Sequence, residues 1–264
     1  MIEPLLLACV QITTFRQHSR LTNASGFFFE RGEHLYLVTS RHVLRDAPSR
    51  HFPDWLEIEI HTDADNMAHS SHYAIPLYQD GRSLWRQGND SAGDIDVAVI
   101  EIDRSRLPDN AVWFAFTPAH IDTALERVEV GTPLLIVGFP LGFHDTLHHL
   151  PIARQAINAS SFGLRFQGKG YFLTDARTHR GISGAPVVMR DPAAAAQGAA
   201  IQMQLGYSRD FEREADRVGF TLLESAGFDV TAMPVFFERL QAGSHRLAAK
   251  SEACSRLQHM LELL

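Results

Sequence analysis

A chain of 264 residues, 45% hydrophobic and 21% charged, has the length for one large domain or two small ones and the make-up of a globular protein. Its net charge of −7 argues against phosphate-backbone binding as a main task, and no apolar run approaches the ~18 residues of a membrane helix, so neither nucleic-acid nor membrane partners are expected. Cys9 and Cys254 stand at opposite ends and give no disulfide framework, and Met1-Ile-Glu-Pro4 lacks the basic start of a secretory leader. A cytoplasmic location is the expectation from these features.

In chain order, residues 5–15 are rich in β-formers and predict a first strand. Residues 25–30 and 35–39 flank Arg31-Gly32-Glu33 and predict a hairpin. Thr39-Ser-Arg-His42-Val-Leu44 follows as one helical turn, which puts His42 at a strand end, where side chains are aimed into clefts. Leu56, Ile58 and Ile60 alternate with Glu57, Glu59 and His61, the pattern of a half-exposed strand. Residues 62–93 are polar and predict a long loop with one short strand near 73–77. Asp94-Ile-Asp-Val-Ala-Val-Ile-Glu-Ile-Asp103 is the clearest β run of the chain, and Asp96 stands near its start.

A connection over 108–118 divides an N-terminal β unit, residues 1–115, from a second, residues 116–232. The second has strand patterns at 128–137, 152–160, 171–174, 186–189, 199–205 and 218–223, and a turn-rich loop, Gly138-Phe-Pro-Leu-Gly142. From Met233 the apolar spacing turns helical, so residues 233–264 are expected to form a C-terminal helix, packed on the second unit or offered to a partner or another copy. Many short strands closed by a helix predict an all-β barrel or sandwich.

Chemistry concentrates in Asp175-Ala-Arg-Thr-His-Arg-Gly-Ile-Ser-Gly-Ala-Pro-Val-Val-Met189. Ser183, flanked by Gly181 and Gly184, suits a tight turn that exposes a hydroxyl while neighbouring N–H groups converge on one spot. Acyl transfer needs that layout, together with a base to take the hydroxyl proton and a carboxylate to orient the base. His42, Asp96 and Ser183 supply the three types, with Asp94 as a competing carboxylate. His144 and His148 have i, i+4 spacing, but the loop around them offers too few ligands, so no metal or cofactor is expected.

These segments together resemble the trypsin/chymotrypsin-like serine peptidases, and among them the bacterial trypsin-like peptidase domain proteins related to the HtrA (Deg) catalytic domain. Leu37-Val-Thr-Ser-Arg-His-Val43 looks like the histidine box of that group, Asp96-Val-Ala-Val-Ile100 its aspartate strand, and Phe172-Leu-Thr-Asp-Ala176 with Gly181 to Val187 its serine box. Gly138-Phe-Pro-Leu-Gly142 and Pro151-Ile-Ala-Arg154 are similar to segments that open its second barrel.

The resemblance implies a chymotrypsin-like double antiparallel β-barrel with the site between the barrels. It implies Ser183 as nucleophile, His42 as general base, Asp96 as its partner, and the N–H groups of Gly181 and Ser183 as oxyanion hole. It further implies a substrate pocket near Arg177, Thr178 and His179, with Gln202, Met203 and Gln204 opposite. The expected function is a serine endopeptidase acting on protein or peptide substrates; the alternative is a latent protease-fold protein that binds a peptide or partner. Ile182 stands where secreted trypsins carry the acidic residue that receives a new N-terminus, so no such zymogen switch is expected. With few residues after 240, no PDZ-like module is expected.

Overall fold

The computed structural model describes residues 2–90, 93–121, 127–168, 171–190 and 201–205. A short helix α1 (Pro4–Ala8) leads into β1 (Cys9–Arg16), β2 (Ser19–Arg31) and β3 (His34–Thr39), and then a single turn α2 (Arg41–Leu44). Next come β4 (Trp55–His61), β5 (Ser70–Pro76), β6 (Tyr78–Gln79), β7 (Arg82–Ser83), β8 (Trp85–Asp90) and β9 (Gly93–Ile102). They make a seven-stranded sheet in the order β5-β4-β1-β2-β3-β9-β8, with β6 and β7 as a separate ribbon. A second sheet is built from β10 (Pro133–Gly138), β11 (Ile152–Ile157), β12 (Pro186–Arg190) and β13 (Ile201–Leu205), in the order β11-β10-β12-β13. Every strand pair is antiparallel, as an all-β fold with short connections requires.

Period-2 alternation sorts the side chains into three clusters. On β2, Phe28 enters the core of the first sheet with Ile12, Leu37, Ile58 and Ile100, while Phe27 and Phe29 turn the other way. On β9, Ile100 and Ile102 share the first core, while Ile95, Val97 and Val99 join Phe27 and Phe29 on the opposite face. That opposite face also holds Val137, Phe139 and Val188 from the second sheet, so a continuous apolar layer joins the two units. A third cluster, with Ile136, Phe162, Phe172, Ile182 and Val187, fills the far side of the second sheet. The central parts of β2, β3 and β9, Phe27–Phe29, Leu35–Val38 and Val97–Ile100, are therefore apolar on both faces.

Several expectations need correction. Residues 5–8 are helical, because Pro4 fixes φ at the first helical position, and the strand begins at Cys9. Residues 62–93 hold more strand than the one short strand expected near 73–77: β5 (Ser70–Pro76) stands at that place, and β6, β7 and β8 follow where a loop was expected. β5 pairs with β4 through polar neighbours such as His72 opposite Glu59, and an edge strand of that kind carries little hydrophobic signal. Residues 171–174 form no strand; Thr174 makes an isolated bridge to Asn158. The strand expected at 218–223 and the helix expected over 233–264 lie outside the described residues.

Candidate active site

The histidine is placed by a change of structure. β3 ends at Thr39, Ser40 takes an extended cap conformation, and α2 lasts one turn before Arg45 leaves it. His42 in that turn is buried, 5% exposed. Asp96, near the start of β9, is also buried, and its carboxylate grips His42 at two points. Oδ1 accepts from the His42 backbone N–H at 2.9 Å, and Oδ2 lies 2.7 Å from the ring Nδ1. An ionised carboxylate only accepts, so Nδ1 carries a proton, and in the neutral ring Nε2 then has the free lone pair. Nε2 is buried and has no hydrogen-bond partner among the described residues. Asp94, on the same face of β9, is exposed at the strand's start and pairs opposite Asn89 instead.

The serine turn is built by contacts between the two units. Gly181 and Gly184 both have positive φ, +91° and +84°. A Cβ at Gly181 would run into the Phe139 carbonyl oxygen, and one at Gly184 into the Ser25 carbonyl and the Thr39 hydroxyl. The turn is thus pressed onto the loop after β10 on one side and onto the end of β3, two or three residues before His42, on the other. Ser183 is half-buried, and Ile182 beneath it is buried in the third cluster. The N–H groups of Gly181 and Ser183 have no acceptor among the described residues, while Ile182 N–H donates to His179 O at 3.2 Å. Two unspent donors therefore flank the hydroxyl.

Ser25 is the residue that sequence reasoning passed over. Its hydroxyl donates to Gly181 O at 2.7 Å and accepts from Phe139 N–H at 3.0 Å. Its backbone N–H donates to Ser183 O at 2.9 Å, and its carbonyl accepts from the Thr39 hydroxyl at 2.8 Å. One fully buried residue on β2, through its hydroxyl and its backbone, thus ties the serine turn, the loop after β10 and the strand before His42 together. The faint signal was a small polar residue in the middle of β2, directly before the apolar run Gly26-Phe-Phe-Phe29.

Of the pocket residues expected before the serine, Arg177, Thr178 and His179 are half-buried on the segment entering the turn. Arg177 has a buried guanidinium nitrogen, Nη2, with no acceptor among the described residues. Gln202, Met203 and Gln204 lie on β13, opposite Met189, Val188 and Val187 of β12. The histidine-rich loop docks onto β4: His149 Nδ1 meets Glu59 Oε1 at 2.9 Å and His61 Nε2 donates to His148 O at 2.7 Å, while His148 Nδ1 meets Asp145 Oδ2 within the loop at 2.7 Å.

Comparison with known proteins adds two family matches. The model of the trypsin-like peptidase domain matches residues 24–193, and that of peptidase family M48, a metallopeptidase family, matches residues 146–260. A putative beta-barrel assembly-enhancing protease of Vibrio cholerae is 50% identical over 56 residues, 21% of this chain and 11% of the relative, so the chain spans about a tenth of that relative's length. A solved serine endoprotease from Yersinia pestis shares 19% identity with a TM-score of 0.41, covering 70% of this chain and 50% of that one.

The residues present lack the common zinc motif of a metallopeptidase, His-Glu-x-x-His on a helix: the 264 residues contain no His-Glu pair. Among the described residues, no three potential ligands converge on one point. The trypsin-like match takes in His42, Asp96 and Ser183 and about two thirds of the sequence. The chain belongs to the trypsin-like peptidase domain family.

Proposed function

We propose that this protein is a serine endopeptidase that cleaves peptide bonds through an acyl-enzyme. The observation that carries the reading is the buried His42–Asp96 pair with its bare Nε2, set across from a serine turn with two unspent N–H donors. Ser183 Oγ attacks the scissile carbonyl carbon as its proton passes to His42 Nε2. Asp96 holds the ring by Nδ1–H and stabilises the imidazolium. The carbonyl oxygen, now negative, takes the N–H groups of Gly181 and Ser183. As the C–N bond breaks, the amine leaves with the proton from Nε2. Water then repeats the sequence on the ester, releasing the acid and restoring Ser183. Nothing in these steps calls for a metal.

A second reading has its own support. Ser183 Oγ and His42 Nε2 make no hydrogen bond to each other, so the third link of the relay is open. A latent protease-fold protein that closes this link when a peptide or partner binds would look the same, although catalytic hydrogen bonds are often long without substrate. Casein digestion separates the two. An active peptidase cleaves it, loses the cleavage in Ser183→Ala, and keeps it in excess 1,10-phenanthroline. No cleavage by a folded wild type favours the latent reading, and loss in phenanthroline contradicts the serine mechanism.

A further inference from the structure

His51 is a buried histidine that the steps above leave unused, and it lies in the loop that leaves α2, the turn that carries His42. That turn has four residues, and it is closed by Val43 N–H on Ser40 O at 3.0 Å and Arg45 N–H on Arg41 O at 2.9 Å. A single turn does not hold its own shape, because nucleating a helix costs more than its first hydrogen bonds return. Its last carbonyls also need partners from elsewhere in the chain. Val43 O finds His51 Nε2 at 2.9 Å. A carbonyl oxygen only accepts, so Nε2 carries a proton and donates it.

The loop that delivers His51 is itself closed. His51 N–H donates to Asp46 O at 2.8 Å, and Asp46 N–H donates back to His51 O at 2.9 Å. The buried Asp46 carboxylate accepts from Ser49 N–H at 3.3 Å and from the Ser49 hydroxyl. Arg50 takes a left-handed φ of +55°, a conformation that a non-glycine residue keeps only where its surroundings hold it. On the other side of α2, Val43 and Leu44 sink into the first core.

The two outside bonds attach to neighbouring residues. Asp96 Oδ1 takes the N–H of His42, and His51 takes the carbonyl of Val43, the next residue, each at 2.9 Å. The backbone of the pair is thus gripped at both ends. A turn held only by Asp96 would pivot about that contact and swing Nε2 relative to Ser183.

We propose that His51 is a positioning residue of the peptidase: its Nε2–H clamps Val43 O and so fixes the turn that aims His42 Nε2 at the serine. This rests on the serine-peptidase reading. His51 touches neither substrate nor reacting atoms in this role, and its effect passes through His42.

Two substitutions separate a clamp from a filler. In His51→Gln the side-chain amide nitrogen falls where Nε2 was, whereas in His51→Asn it stops short, near the place of Nδ1. On a peptide substrate, His51→Asn is expected to lower kcat by about tenfold to a hundredfold with KM little changed, and His51→Gln to restore most of the rate. Wild-type kcat in His51→Asn, or an equal loss in His51→Gln, overturns the proposal. A second measurement needs no turnover. The proton on His42 Nδ1, hydrogen-bonded to Asp96, gives a far-downfield 1H NMR resonance, assigned by its loss in Asp96→Ala. It is expected to be sharp in wild type and His51→Gln and broadened by solvent exchange in His51→Asn; equal widths in all three overturn the clamp. A long-range 1H–15N spectrum of wild type reads the His51 ring itself: a proton on Nε2 is expected, and an Nε2 without one overturns the proposal whether or not the variants fold. A folded wild type that cleaves no peptide tells against the serine reading alone, and the spectra still judge His51.

Discussion

Asp96 binds His42 twice, through the backbone N–H and through the ring, so the two contacts respond differently to substitution. Asp96→Asn keeps the shape and an oxygen for one contact, but its amide NH2 faces the ring or the backbone as a second donor. The ring then turns to the tautomer with Nδ1 bare, and Nε2 loses its lone pair. The expected result is a drop of about 10⁴-fold in kcat with KM little changed and the melting temperature near wild type, read from steady-state kinetics on a peptide substrate. Cys9 gives a second test at this scale. Burial pushes its thiol far above the usual cysteine range, and it donates to Val137 O at 3.2 Å. In native protein at pH 8, Cys9 is expected to stay unmodified by iodoacetamide, as followed by peptide mass mapping, and to react only on unfolding. Rapid alkylation of Cys9 in the folded protein would contradict the packing between the two units.

The elements differ in how much of them the sequence discloses. β9 was legible because both its faces are buried, Ile95, Val97 and Val99 toward the joining layer and Ile100 and Ile102 toward the first core, which yields the apolar stretch Val97–Ile100 and a strand that is mostly apolar. The β2–β3 hairpin was legible because Gly32, at φ +60°, marks its turn. β5 showed only as a short strand near 73–77, and β6 to β8 did not show at all, since their residues are largely polar and β6 and β7 are two residues each. The candidate site divides in the same way. His42, Asp96 and Ser183 each sit in a local pattern that a reader can see, whereas Ser25 acts on Gly181 across 156 positions and nothing in its neighbours announces that. Ser25→Ala removes one hydroxyl and strands the Phe139 N–H and the Gly181 carbonyl at once. A loss of about 1–3 kcal/mol in urea-unfolding stability is expected, with a larger fractional loss in acylation rate than in substrate binding, because the turn that carries Ser183 loosens. Unchanged acylation in Ser25→Ala would show that the turn holds its shape without the clamp.

At the scale of the molecule, the apolar layer between the sheets sets how the two halves of the site meet. Phe27 packs edge-on against Phe116 at 5.7 Å, and His120 sits edge-on to Phe114 and Phe116 at 5.6 and 5.9 Å. Burial holds the His120 pKa below the ordinary histidine value, and its Nδ1 accepts from Thr117 N–H at 3.0 Å. The unfolded chain takes up a proton at this residue before the folded chain does, so its share of stability is present above about pH 6.5 and is lost as pH falls through the lowered folded value. Urea midpoints at pH 7.5 and 5.0 are expected to differ less in His120→Asn than in wild type. An equal pH response in both proteins would remove His120 from the account. The three fixed groups at the site depend on this layer: Asp96 and His42 come from the first sheet and its flanking turn, Ser183 from the approach to the second.

The central claim is that Ser183 is a nucleophile activated by His42, and the formation of a covalent adduct tests it most directly. Purified wild-type protein, His42→Ala and Ser183→Ala would each be treated with a fluorophosphonate probe, followed by tryptic mass mapping of the segment around residues 175–190. The account predicts a phosphonylated Ser183 in wild type and no adduct in either variant, with all three proteins folded by circular dichroism. An adduct on another residue, or one on Ser183 that forms as fast without His42, would contradict it.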